Sequence, residues 1–191
     1  MSHAKRRYPI GAELIGENQT HFRVWAPKAR EVDVVLEDAA EAKPKFCPLT
    51  AEPGGYFSGA ANAGSGARYR FRLNGAENFY PDPASRFQPD GPHGPSCIVD
   101  PTNFRWSDAD WAGLKLKGQI FYEMHIGTFT REGTWRAAAE QLSELARIGI
   151  TVIEMMPVAE FPGRFGWGYD GVDLFAPSHL YGTPDDLRSV R

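Results

Sequence analysis

Between residues 67 and 74 apolar and charged side chains alternate without a break. Tyr69, Phe71 and Leu73 fall on one face, and Arg68, Arg70 and Arg72 on the other. A period of two marks a strand with one buried side and one solvated side, so the three arginines are expected to be exposed. Residues 20–25 repeat the pattern, and residues 31–37 do so with one slip at Val35. Turn-forming pieces separate these runs: Ala26-Pro27, the Pro53-Gly54-Gly55 stretch and Gly64-Ser65-Gly66. Short strands at this spacing, without helical periodicity between them, predict an antiparallel β-sandwich over residues 10–99 that is able to fold alone. Residues 80–95 hold too much Pro and Gly for regular structure and read as an ordered arm or linker, with order favoured by their aromatics.

From residue 119 the grammar becomes strand, then helix. Residues 119–126 form a mostly apolar run that predicts a strand. Thr134 suits the N-cap of a helix whose buried face holds Trp135, Ala138, Leu142 and Leu145 at three-to-four spacing. Gly149 sits where a helix end wants a left-handed residue. Residues 150–156 read as a second strand stopped by Pro157. A connection of roughly twenty residues makes the two strands parallel neighbours. A long loop is expected over residues 157–182. Thr183-Pro184-Asp185-Asp186 then supplies an N-cap, a proline in the first turn and two acids at the positive helix end. That helix has only about two turns before Arg191, so the series reads as the opening of a larger β/α fold.

Composition narrows the function classes. The chain is 42% hydrophobic and 24% charged, with a net charge of −3, which exerts no general pull on nucleic acid or an anionic membrane. Lys5-Arg6-Arg7 is too short a basic cluster to change this and reads as a solvated terminus. No run approaches the ~20 apolar residues that span a bilayer, and the start lacks the apolar core of a secretory signal, so a cytoplasmic protein is expected. Cys47 and Cys97 lack metal-ligand spacing and read as two reduced thiols, with a single disulfide as the alternative. Aromatics at 13%, with 20 Gly and 15 Pro, suit many turns and surfaces that stack on flat ligands.

Two groups of residues invite a chemical reading. Glu123 and Glu154, on adjacent strands, would suit acid/base work if buried together. The preferred reading is a structural polar cluster that includes His125. As metal ligands, Glu123 and His125 lack a third partner. The second group is Gly166-Trp167-Gly168-Tyr169-Asp170, where glycines let the backbone approach a ligand and aromatics offer platforms for the C–H faces of sugars. By composition alone it reads equally well as a packed loop.

Longer motifs carry a resemblance. Phe22-Arg23-Val24-Trp25-Ala26-Pro27 resembles the N-terminal, immunoglobulin-like early-set sandwich of glycogen-active glycoside hydrolase family 13 enzymes, the type called carbohydrate-binding module family 48. Residues 122–129 resemble the first strand of the (β/α)8 TIM barrel in those enzymes, and residues 154–158 the second. Gly166 to Asp170 resemble the active-site loop that follows, and residues 175–184 continue the match. The resemblance implies a sandwich with its arm over residues 1–105 and the truncated β-α-β start of a barrel over 106–191. It implies a retaining glycosidase whose nucleophile, acid/base and third aspartate come from barrel strands four, five and seven. No catalytic residue is therefore expected in this chain. It implies that Tyr169 stacks on the sugar before the scissile bond, with Trp167 and Asp170 shaping the same pocket. No cofactor or metal is implied. Residues 161–171 look most like the members that release trehalose from maltooligosyltrehalose by α-1,4 hydrolysis. Branching transferases are the alternative, although they usually carry Ser and Gln where this loop has Gly166 and Asp170. A non-catalytic carbohydrate-binding fragment is the third reading. Trp25 and the arginine face suggest glycan binding by the sandwich, but packing against the barrel is the preferred role. His179 and Tyr181 are expected to be packing residues.

Overall fold

The computed structural model describes residues 6–37 and 43–190, so Lys5 of the basic cluster and Arg191 lie outside the described residues. Nine strands build the first part: β1 (Gly11–Gly16), β2 (Gln19–Trp25), β3 (Val32–Glu37), β4 (Lys45–Pro48), β5 (Thr50–Glu52), β6 (Tyr56–Ala61), β7 (Arg68–Leu73), β8 (Phe79–Tyr80) and β9 (Ser96–Cys97). They pair antiparallel in two sheets, ordered β1-β2-β6-β5 and β4-β3-β7-β8, with β9 also on β7. Phe22 and Val24 of the first sheet meet Val32, Val34, Tyr69 and Phe71 of the second in one core. The Phe22 and Tyr69 rings join the sheets edge to face, with centroids 5.0 Å apart. The predicted sandwich is therefore present, and Tyr69 and Phe71 lie on its buried face as the alternation required.

The arginine face differs from expectation. Arg68, Arg70 and Arg72 are half-buried, and each holds a carboxylate: Asp90 at 2.9 Å, Glu37 at 2.8 Å and Asp33 at 2.8 Å. Asp33 is the register partner of Arg72, and Glu37 sits two positions along β3 from the partner of Arg70. Cross-strand acids and apolar stems thus cover this side of the sheet. The Arg72 guanidinium also lies 4.1 Å from the Phe46 ring centroid. Val35, the slip in the pattern, points to this outer face yet is fully buried, because its strand partners are Phe46 and Arg70.

Residues 81–95 pack as an arm held by polar side chains rather than as a free linker. Asp82, Ser85, Gln88 and Ser96 are all buried. The Tyr69 hydroxyl donates to Asp82 at 2.8 Å, the Asp82 amide donates to Ser96 at 2.9 Å, and the Gln88 side chain donates to the carbonyls of Gly91 and Gly94. Burial pushes the Asp82 carboxyl up to about 6, against the Ala84 amide and the Tyr69 hydroxyl, which favour its ionised form. Cys47 and Cys97 are free thiols, each with its pKa raised by burial.

The later part has a parallel pair, β10 (Phe121–Met124) and β11 (Val152–Met155), joined through α1 (Ile126–Phe129) and α2 (Trp135–Arg147). Thr134 caps α2 by accepting from the Ala137 amide, Trp135 and Ala138 are its buried residues, and Gly149 closes it at φ +102°. The first strand is shorter than expected: it ends at Met124, and His125 takes the N-cap of α1. Residues 157–182 are also more regular than a loop. They contain β12 (Ala159–Glu160) paired antiparallel with β13 (Asp173–Pro177), then a 3-10 turn over His179–Tyr181. The short helix α3 (Pro184–Arg188) has the complete reciprocal cap between Thr183 and Asp186. Met124, Ile126, Trp135, Ala138, Phe161 and Tyr181 form the second core. No helix among the described residues is long and apolar enough to cross a membrane.

Candidate functional site

A cavity of about 600 Å3 opens where β10 gives way to α1. His125, Gly127 and Thr128 form one wall, Glu132 and Gly133 ahead of α2 a second, and Arg164 to Trp167 with Tyr181 a third. Each wall has a local cause. The strand ends because His125 turns into α1, and Gly127 lets this turn lie against Tyr181, whose ring carbon would sit 2.9 Å from any Cβ there. Trp135 and Phe161 back Tyr181 in the core, with the Trp135 ring 5.6 Å away and perpendicular.

His125 links the floor to the aromatic segment. Its Nε2 lies 2.8 Å from the Gly166 carbonyl oxygen, which only accepts, so Nε2 carries the proton of that bond. The Tyr181 oxygen is 3.3 Å from the same nitrogen, and Thr128 Oγ1 is 3.4 Å from Nδ1. Burial raises the Tyr181 hydroxyl, with the charges of Asp170 and Glu160 adding to it.

The expected sugar-facing residues separate in space. Trp167 lines the cavity and is 76% exposed. Tyr169 is 71% exposed, and neither it nor Asp170 lines the cavity. Asp170 instead folds back beside Gly166, with its oxygens 3.1 and 3.3 Å from where a Cβ on Gly166 would stand. Phe165, Trp167 and Tyr169 thus face solvent, the first two at the cavity wall, and exposed aromatic faces are platforms that flat, hydroxylated ligands can use.

The proposed carboxylate cluster does not form. Glu123 and Glu154 are register partners on the parallel pair, but both are exposed, and His125 has turned away into the α1 cap. Both side chains stand in solvent and neither lines the cavity, so they do not form a buried pair. Among the described residues no group of three or more His, Cys, Asp or Glu is placed to hold a metal.

The buried acid in this region is Glu160, which sequence reasoning missed. Its side chain is fully buried and accepts from the Phe161 amide at 3.2 Å, the His179 amide at 2.8 Å and His179 Nδ1 at 2.8 Å. Its strand partner Asp173 is buried as well, and Asp173 Oδ2 has no hydrogen-bond partner. Burial and the Glu160 charge push the Asp173 carboxyl up to about 6. The available signal was a single acid between Ala159 and Phe161, with a histidine on the return side of the loop. His179 is thus a hydrogen-bond partner of Glu160, whereas Tyr181 packs in the core as expected.

The comparisons agree with this architecture. The family profile of carbohydrate-binding module 48 (isoamylase N-terminal domain) matches residues 9–92. A malto-oligosyltrehalose trehalohydrolase of Deinococcus radiodurans is 46% identical over 185 residues, covering 96% of this chain and 30% of that protein. The 1,4-alpha-glucan branching enzyme GlgB 2 of Xanthomonas oryzae pv. oryzae is 33% identical, covering 92% of this chain and 27% of its own. A crystal structure from Salmonella typhimurium, described as a candidate alpha amylase, superposes with a TM-score of 0.84 at 44% identity, over 93% of this chain and 30% of that one. The chain thus spans about 30% of the length of the trehalohydrolases it matches. Residues 9–92 thus match the carbohydrate-binding module 48 profile, and the chain as a whole is similar in sequence to the N-terminal portion of the malto-oligosyltrehalose trehalohydrolases.

Proposed function

We propose that this chain is part of an α-glucan-processing glycoside hydrolase that releases trehalose from maltooligosyltrehalose by cleaving an α-1,4 bond. The observation that carries the reading is the 46% identity to a trehalohydrolase along 96% of the chain. Residues 1–105 act as the sandwich with its arm, and residues 106–191 as the first strand–helix–strand unit of a (β/α)8 barrel. The parallel β10–β11 pair and the helix between them support that reading. So does the place of the cavity, since barrel enzymes build their sites at the C-terminal ends of the strands. Trp167, Tyr169 and Asp170 face the glucan: Trp167 from the cavity wall, Tyr169 as the stacking ring beside the scissile bond. The nucleophile and acid/base lie in the larger share of the relatives that this chain does not match, and Glu123 and Glu154 do not replace them.

The test is a chimaera in which this chain replaces the matching part of the Deinococcus radiodurans relative. Release of trehalose from maltooligosyltrehalose is expected, and no release from a folded chimaera would count against the reading. The similarity to a branching enzyme favours a second reading, glucan transfer. It predicts α-1,6 branches on maltodextrin and no trehalose.

A further inference from the structure

We propose that Glu160 is a positioning residue for the aromatic segment: its buried carboxylate clamps the two stems of the 161–178 excursion and so sets where Trp167 and Tyr169 stand. The inference rests on the reading of that segment as the sugar-facing one. On the outgoing stem the carboxylate accepts from the Phe161 amide, and on the returning stem from both the amide and the ring of His179. All three contacts are donors aimed at an acceptor, so an ionised carboxyl satisfies them and no neutral side chain of this size does. A fully desolvated acid is a poor way to gain stability, since an apolar side chain would fill the same space at lower cost. What the acid supplies is direction, because its two oxygens fix the approach of two separate backbone points.

The segment needs such a clamp. Between the stems, Phe165, Trp167 and Tyr169 are 90%, 76% and 71% exposed, so burial of their own side chains does little to hold them. Other tethers are present: the His125 ring on the Gly166 carbonyl, and the Val172 and Ser178 amides on the Glu160 and Val158 carbonyls, at 2.8 Å each. The first fixes the tip and the others the strand pairing. Among the described residues the Glu160 side chain is what ties Phe161 to His179 by hydrogen bonds, and His179 begins the turn that places Tyr181 under His125.

The test uses Glu160→Gln and His179→Gln in this chain, with nitrogen-15 relaxation of the backbone and maltotetraose added as probe. In the wild type the amides of residues 166–170 should show order parameters near ~0.85, falling below ~0.6 in both variants, while the strands of the sandwich stay rigid. Glu160→Gln offers one oxygen where two are used and sets an amide donor against a donor. His179→Gln removes the ring from a partly exposed site, and so remains informative if the buried variant does not fold. Maltotetraose should shift the Trp167 indole resonance, with affinity at least tenfold weaker in the variants. A folded variant with wild-type loop order, or a wild-type loop already mobile, overturns the clamp. Loop order that depends on Glu160 without any maltotetraose response leaves the clamp standing and removes the sugar reading instead.

Discussion

The carbonyl oxygen of Pro157 stands 1.8 Å from the place where a Cβ on Gly168 would lie, and Gly168 holds φ +90°. The middle of the aromatic segment is thus threaded directly against the end of the strand run it leaves. Backbone cannot yield there as a flexible side-chain tip would. Gly163, at φ +92° with nothing within 4 Å, makes the natural contrast, since there a side chain meets only the conformational penalty. We expect Gly163→Ala to cost about 1 kcal/mol and Gly168→Ala at least ~3 kcal/mol, or to detach the segment outright. Urea denaturation of the two variants compares them directly, and equal costs would mean that Pro157 and Gly168 are not in contact.

Phe71 is 2% exposed and packs against Tyr69, with ring centroids 5.9 Å apart. Phe71→Ala should cost ~3–5 kcal/mol through lost burial and the cavity left behind. Arg70→Ala on the opposite face should cost less, ~1–2 kcal/mol, because Arg70 and Glu37 keep about a quarter of their side-chain surface in water although their Nε–Oε1 contact is covered. The midpoints of chemical denaturation give both values, and similar losses would show that the two faces are not inner and outer.

Asp173 contributes a pH dependence of known sign. Its pKa rises from 3.8 to about 6 in the fold, so the folded state holds the proton more tightly than the unfolded chain does. Above pH 6 the buried charge beside Glu160 destabilises the fold. As pH falls from 6 towards 3.8 that penalty fades, and below 3.8 it is gone. Asp173→Asn removes the charge and should stabilise the chain by ~1–3 kcal/mol at pH 7.5, with the gain shrinking to nothing near pH 4. Thermal melts of both proteins across this range test it, and a gain that is constant with pH would exclude the titration as its source.

Tyr169 is mostly solvated, so Tyr169→Ala should change stability by less than ~0.5 kcal/mol. In the chimaera, if Tyr169 stacks on the sugar as proposed, loss of its ring should lower turnover of maltooligosyltrehalose by roughly 100-fold. Steady-state kinetics paired with a melt separates the effects. Wild-type turnover would remove Tyr169 from the site.

Local pattern alone determined strands β2, β3 and β7 of the sandwich, the parallel β10–β11 pair and the caps of α2 and α3. Each depends on neighbours in the chain: the alternation of Tyr69 and Phe71 with arginines, Thr134 ahead of Trp135, and the Thr183–Asp186 reciprocity. The aromatic segment could be singled out by its contiguous residue types, but the exposure of Trp167 and Tyr169 could not be read from them. Tertiary structure alone decided whether polar side chains were inside or outside. Arg70 and Arg72 are half-covered because β3 supplies acids in register, and Asp82 is buried because Tyr69 reaches it across the sheet. Glu123 and Glu154 are solvated although they are partners, whereas Glu160 and Asp173 are buried although they look no different in sequence. The reason is physical. Apolar burial follows a local period, but a buried carboxyl depends on groups far along the chain: His179 donates to Glu160, whereas Asp173 Oδ2 meets no donor and its carboxyl is pushed towards the neutral form.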